Sequence, residues 1–453
     1  MTNFARIPSR RALLRFAGSA MGAAALGRLG VMNAHAQSSS GYKALVCVFL
    51  AGGSDSHNML IPQEPSAYNA YKTLRKAIAL PDGNAKLLPI AARDGTQYAF
   101  NDGLKSIEPL WGQGKLAAVA NVGMLVAPTT RSQYLNKTVP LPSNLFSHAD
   151  QVIAMQAGNP YGSGGTGWAG RVADAMQGLN AASTFPASVS TNGAALFCTG
   201  TTIQAASLYP GFNLGLNGMT SWPSSATTAR QQALQEIIAS DSGFAMVQAA
   251  NKVRSDALAL NKQLASAGTS APLNTVFPGT TLGVQLRQVA QIIGLRNTTG
   301  ISRQVFFCSM GGFDTHSNQS WQHWDLLRQM SDAMKAFYDA TVEMGVADSV
   351  TTFTESDFGR TLDPNGSGTD HGWGSHHLVM GGAVKGGDVY GAFPFPSLGG
   401  TSDANSRGVL IPGISLDQYA GTMAKWFGVS DAALAQVFPN LANFPTADVG
   451  FMG

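Results

Sequence analysis

Three strand-like runs in this chain each lead into an acid, two of them through a Gly-Gly pair, and that repetition limits the folds open to it. Tyr42–Leu50 (YKALVCVFL) stops just before Gly52-Gly53, with Asp55 two residues on. Arg303–Met310 stops at Gly311-Gly312, and Asp314 follows. The β-branched run Ser349–Thr354 leads into Glu355 and Asp357. Apolar runs of this length read as strands of a parallel sheet covered on both faces. Leu116–Met124 and His377–Met380 add two more. Helical patterns lie between them. Within Gly283–Asn297, Leu286, Val289, Ala290 and Ile293 share a face, and within Trp321–Ala340 so do Leu327, Met330, Met334 and Phe337. The alternation predicts an α/β three-layer sandwich with a mostly parallel central sheet and functional residues at strand ends.

The first 36 residues stand apart. Ser9-Arg10-Arg11-Ala12-Leu13-Leu14 carries a twin-arginine pair, an Ala/Gly-rich apolar stretch follows, and Ala34-His35-Ala36 offers a cleavage site. The stretch is too short and too interrupted to span a bilayer. A twin-arginine leader implies export of an already folded chain to the periplasm or beyond, with the export machinery as a partner. Losing its five arginines takes the formal charge from +3 to −2, so the basic balance belongs to the leader. No basic patch points to nucleic acid, and no stable membrane span is expected. Residues 42–453 read as one elaborated α/β domain. A Ser/Thr/Ala/Gly-rich stretch at about 199–280 reads as an insertion, with one long helix from Ala229 to Ala265. Cys47, Cys198 and Cys308 have no metal-ligand spacing; Cys47 and Cys308 read as buried thiols, a disulfide between them being the alternative.

The chemistry-bearing residues gather at the strand ends. Between Glu355 and His377 the chain places three histidines and four acids, although it holds only 8 His in 453 residues. Asp55 follows the first Gly-Gly turn, and an acid presented there can ligate a hard or borderline cation. Asp314 and His316, two residues apart in an extended turn, point to one side and suit one ion. Asp357 ends a strand, with Arg360 near enough to clamp an anion. Asp370, His371, His376 and His377 follow in a glycine-spaced loop. His376 and His377 alternate in a strand, so only one can face the site. Ser147 opens a helical run to Ala157, either as a cap or as a nucleophile favoured by the helix dipole, and His148 beside it suits substrate orientation or acid–base work.

Taken together, the blocks VFLAGGSDSHN, FSHADQ, TGWAGR, RQVFFCSMGGFDTHSNQ, TESDFGRT, GTDHGWGSHHLVMGGAVKGG and LDQYAGTMAKWFG closely resemble the secreted bacterial family known as domain of unknown function 1501. More distantly they resemble the alkaline phosphatase and sulfatase superfamily. That resemblance implies an alkaline phosphatase-like sheet and matches Asp55, Ser147, Asp314 with His316, Asp357 and His371 to its metal and nucleophile positions. Phe358 stands where the superfamily usually has a histidine, and the 314–316 spacing is shorter than in phosphatases.

The expectation is a hydrolase of phosphate or sulfate esters using one or two divalent ions. Asp55, Asp314, His316, Asp357, Asp370, His371 and His376 are its candidate ligands, and Ser147, His148 and Arg360 its candidate catalytic groups. Zinc suits the histidine-bearing set, and magnesium, calcium or manganese the carboxylates. The rival reading is a metal-stabilised binding or assembly protein without turnover.

Overall fold

Alternation along the first strand explains the layering. In β1 (Lys43–Leu50), Val46, Val48 and Leu50 join one apolar layer with Leu286, Val289, Ile293, Leu327, Met330, Met334 and Phe337. Leu45, Cys47 and Phe49 join the opposite layer with Trp168, Val172, Tyr419, Met423 and Phe427. Helices Thr281–Gly294 and Gln319–Glu343 therefore cover one face, and Trp168–Ala175 and Leu416–Phe427 the other. Each large side chain so buried contributes roughly 1.5–3 kcal/mol.

The computed structural model describes residues 41–81, 86–162, 164–210, 218–219, 221–240, 243–270 and 272–453. The expected export leader, 1–36, lies outside the described residues, and Tyr42–Gly453 forms one compact unit. After β1 come β2 (Leu60–Pro62), β3 (Leu87–Ala91), β4 (Gln97–Asn101), β5 (Leu116–Gly123), β6 (Ser188–Ser190) and β7 (Ala206–Ser207). Then follow β8 (Arg303–Met310), β9 (Val350–Ser356), β10 (Ser375–Gly381), β11 (Val389–Tyr390) and β12 (Ile414–Ser415). The central sheet runs β11-β5-β10-β9-β1-β8-β6-β7, with β12 also on β5; β2, β4 and β3 form a separate antiparallel sheet.

The central sheet is mixed. β1 pairs in parallel with β8 and β9, whereas β10 runs antiparallel to both β9 and β5. The reversal has a consequence for the site. The first residues of β10 lie at the edge where β1, β8 and β9 end, so one rim collects residues from both kinds of strand.

Two expectations change. The single helix from Ala229 to Ala265 is two, Thr227–Ala239 and Ala245–Ser270. Ser240 turns extended after the first, and Gly243 takes a positive φ of 70° before the second. The Cys47–Cys308 disulfide is ruled out by register. Val48 is the partner of Cys308, so Cys47 and Cys308 project from opposite faces of the sheet, and all three cysteines are free and buried. No described helix is long and apolar enough to cross a membrane.

Candidate metal centre

Two glycines after β1 and one acid after β9 build the foundation. Gly52 and Gly53 take φ of 118° and 80°, and a β-carbon would strike the Asp314 backbone at Gly52 or the Phe358 ring at Gly53. In that turn both N–H groups donate to Asp357 Oδ1, at 3.0 and 2.7 Å. The other carboxylate oxygen, Oδ2, lies 2.6 Å from His148 Nδ1. Asp357 is thus buried under the rim, its side chain 1% exposed.

His148 begins the helix His148–Ala157, immediately after a strained approach. Phe146 takes φ of 75°, a region that bulky residues rarely enter, and its carbonyl oxygen lies 2.7 Å from His371 Nδ1. His371 itself comes from the segment after β9, which folds back antiparallel and bridges Arg360 to His371. Beyond β8, Thr315 and His316 donate backbone N–H groups to the carbonyls two residues earlier, at 2.8 and 3.0 Å. This tight turn swings Asp314 and His316 to the same side.

The three imidazoles converge. His148, His371 and His316 place Nε2 at 3.4, 3.3 and 3.1 Å from Asp314 Oδ1, and His316 Nε2 lies 3.0 Å from His371 Nε2. Ligand bonds of about 2.0–2.1 Å to a tetrahedral ion put neighbouring ligand atoms about 3.3–3.4 Å apart, so the distances from Asp314 to His148 and His371 match two edges of such a polyhedron. Each Nδ1 faces an oxygen instead. His148 meets Asp357, His371 meets the Phe146 carbonyl, and His316 has Asp370 Oδ1 at 3.4 Å. Tying down Nδ1 leaves the Nε2 lone pair to point inward, which is how metal-ligating histidines are held. His148 Nε2 is buried without a hydrogen-bond partner, an atom whose lone pair lacks any donor. These residues therefore fit a divalent cation, and His148, Asp314 and His371 each offer an atom within 4.8 Å of the others.

Electrostatics agree. Burial pushes the Asp314 carboxyl up, but a hydrogen bond and charge from Arg360 outweigh it and hold it below the usual carboxylate range. Burial keeps His371 below its ordinary titration, hence neutral and able to ligate. Phe358 forms the floor, its ring centroid 4.7 Å from both His148 and His371.

Other candidates are placed elsewhere. Asp55 is fully buried and its Oδ2 is taken by Arg75 and Gln319. Arg75 also donates to Asn58 and to the carbonyls of Thr361 and Leu362. A guanidinium, fixed by the fold, thus sits on Asp55 where a metal was expected. Asp357 and Asp370 support imidazoles from outside the ligand cluster, and Arg407 and Asn365 engage Asp370 further. His376 accepts from the Asn121 N–H and packs against Phe393, away from Asp314. His377 stacks on Tyr419 in the opposite layer. Arg360 is buried, and four of its five N–H donors go to Thr369, Gly52 and Asp314, so it is held by the protein rather than presented as an open anion clamp. Ser147 makes no capping bond; its hydroxyl donates to Asp150 at 2.5 Å.

Sequence reasoning missed Arg75, since an arginine ending an amphipathic helix looks like any solvated one. Glu355 was legible only as an acid at a strand end. Glu355 is fully buried, and burial raises its carboxyl well above the usual range, so it is held neutral.

Residues 42–411 match the family described as "Protein of unknown function (DUF1501)". The chain belongs to that family. The match begins one residue before β1 and ends beyond His377, so every side chain of the centre falls within the DUF1501 region. No curated protein matches the sequence. Among solved structures, one described as "Crystal structure of Ps i-CgsB in complex with k-i-k-neocarrahexaose" is 8% identical, over 86% of this chain and 73% of that chain, at a TM-score of 0.36. A likeness that low has no bearing on the site.

Proposed function

We propose that this DUF1501 protein is an exported, metal-dependent hydrolase of phosphate or sulfate esters on an alkaline phosphatase-like sheet. The observation that supports it most is the convergence of three imidazole Nε2 atoms on Asp314 Oδ1 at the sheet rim. A divalent ion held by Asp314, His148 and His371, with His316 beside them, would polarise an ester oxygen and lower the pKa of nearby water. The histidine-rich set favours zinc over magnesium or calcium. Arg360 holds Asp314 from below and keeps its carboxylate ionised. Ser147, one residue before His148, is the chain's own candidate nucleophile. The twin-arginine leader agrees with a chain that folds, and takes up its ion, before export.

A second reading, a metal-stabilised binding or assembly protein without turnover, is favoured by two observations. Four of the five Arg360 N–H donors are engaged by Thr369, Gly52 and Asp314, which leaves at most one for an ester oxygen. The hydrogen bond from Ser147 holds the Asp150 carboxyl below its ordinary range, which makes it a weak base toward that hydroxyl.

The deciding experiment is metal analysis of natively exported protein, followed by assay on p-nitrophenyl phosphate and p-nitrophenyl sulfate beside Ser147→Ala and Asp314→Asn. About one divalent ion per chain and hydrolysis lost in Asp314→Asn support the enzyme. Bound metal with no turnover of either ester leaves the binding protein. Absence of stoichiometric metal removes both.

A further inference from the structure

We propose that Asp357 is a positioning residue that sets the tautomer of His148, and that this choice of nitrogen is what makes the centre competent to bind an ion. The inference rests on the metal-centre reading above but is read out separately from it. Asp357 Oδ1 accepts from the Gly52 and Gly53 N–H groups at 3.0 and 2.7 Å. These two donors fix the carboxylate in the turn that ends β1. Oδ2 is thereby presented to His148 Nδ1 at 2.6 Å. A carboxylate offers only lone pairs, so the imidazole proton must sit on Nδ1. Nε2 is then the lone-pair nitrogen, and it is the atom that faces Asp314.

The neighbouring imidazoles obey the same rule by other means. His371 donates from Nδ1 to a carbonyl, and a carbonyl cannot be persuaded to donate back. Asp357 alone among these contacts is a buried side chain with a 1% exposed carboxylate, so one substitution can invert its hydrogen-bonding sense. In Asp357→Asn the amide oxygen can keep the two glycine N–H groups, and the amide NH₂ then faces His148 Nδ1. Two donors cannot share that contact. The imidazole proton moves to Nε2, and Nε2–H has no lone pair to give. Asp357→Ala does something different. It leaves the imidazole free to choose either tautomer but strips the Gly52 and Gly53 N–H groups of their acceptor.

The two variants should therefore rank in opposite orders in two measurements. Co²⁺ titrated into purified full-length protein, followed by visible absorption, should bind about 10–100-fold more weakly to Asp357→Asn, the range for losing a group that orients a ligand. In Asp357→Ala the loss should be smaller than in Asp357→Asn. In urea unfolding of metal-free protein the order reverses, with Asp357→Ala less stable than Asp357→Asn. Long-range ¹H–¹⁵N NMR of metal-free protein, with the His148 signal assigned from a His148→Gln sample, should show Nδ1–H in the wild type and Nε2–H in Asp357→Asn. Either an Nε2–H wild type, or an Ala variant that binds Co²⁺ more weakly than Asn, overturns the proposal. Wild-type affinity in Asp357→Asn does so too. A wild type that binds no Co²⁺ sinks the metal centre, whereas the tautomer is judged in metal-free protein and stands or falls on its own spectrum.

Discussion

Two turns with nearly the same local sequence leave adjacent strands at the same level, yet their acids meet opposite fates. Gly52-Gly53-Ser54-Asp55 follows β1, and Gly311-Gly312-Phe313-Asp314 follows β8, with Leu50 and Met310 paired in register. Asp55 is 0% exposed and locked to Arg75, whereas the Asp314 side chain is 45% exposed and surrounded by imidazoles. The strand–glycine–glycine pattern delivers a carboxylate to the sheet rim. What the carboxylate then does is decided by which segment packs against it. At Asp55 that segment is the helix Pro65–Arg75; at Asp314 it is the helix start at His148 and the loop carrying His371.

The sharpest way to break the comparison is to remove the internal cation. Arg75→Met leaves Asp55 charged and buried without its partner, and should cost about 3–5 kcal/mol in urea unfolding. A loss under about 1 kcal/mol would mean that Asp55 does not depend on Arg75. The mirror experiment is Asp314→Asn, which keeps an acceptor for Arg360 but removes the charge from the cluster. Divalent-ion affinity should fall at least about 100-fold while stability of metal-free protein changes by less than about 1 kcal/mol. Equal losses of stability in Arg75→Met and Asp314→Asn would erase the distinction between the two acids.

A pH series sharpens it further. Burial, opposed in part by Asp55, pushes His57 and His323 down to about 4. An unfolded histidine titrates near about 6.5. The folded-state value is depressed, so the stability from keeping these rings neutral is complete above about 6.5. It is lost as pH falls toward 4, by up to about 1.4 kcal/mol per pH unit for each ring. Asp417, raised to about 7 by burial, slopes the other way across that window, so the measurement is a difference between proteins. His323→Gln should flatten the fall in urea midpoint between pH 6.5 and 4, and an unchanged slope would show that the ring is not held neutral. The smallest effect belongs to Ser147→Ala. That side chain makes no capping bond, so stability and Co²⁺ affinity should stay within about 0.5 kcal/mol of wild type. A larger shift in Co²⁺ affinity would place the Ser147 hydroxyl at the centre.

Much of this was legible in advance because it depends on short-range pattern. The runs that became β1, β5 and β8 were largely apolar and that of β9 β-branched, which a sheet covered on both faces rewards, and the helix faces around Leu286 and Leu327 followed from their spacing. Asp314, His316 and His371 were legible as a group for the same reason, as polar residues at strand ends in a chain otherwise poor in charge. Illegible were the partners. Nothing local separates Arg75 from a solvated arginine, or Glu355, buried and neutral, from a solvated acid at a strand end. The antiparallel direction of β10 was equally hidden, because a short strand sequence carries no arrow.

By itself the sequence determined that strands would end at glycine-rich turns bearing acids and histidines, because burial on both faces and backbone freedom at Gly52 and Gly53 are properties of a few adjacent residues. The tertiary structure alone decided which of those groups share an oxygen, which are neutralised by a guanidinium, and which nitrogen of His148 faces Asp314. Those outcomes turn on distances of 3 Å between residues up to several hundred positions apart, and electrostatic pairing acts at that range whatever the separation along the chain.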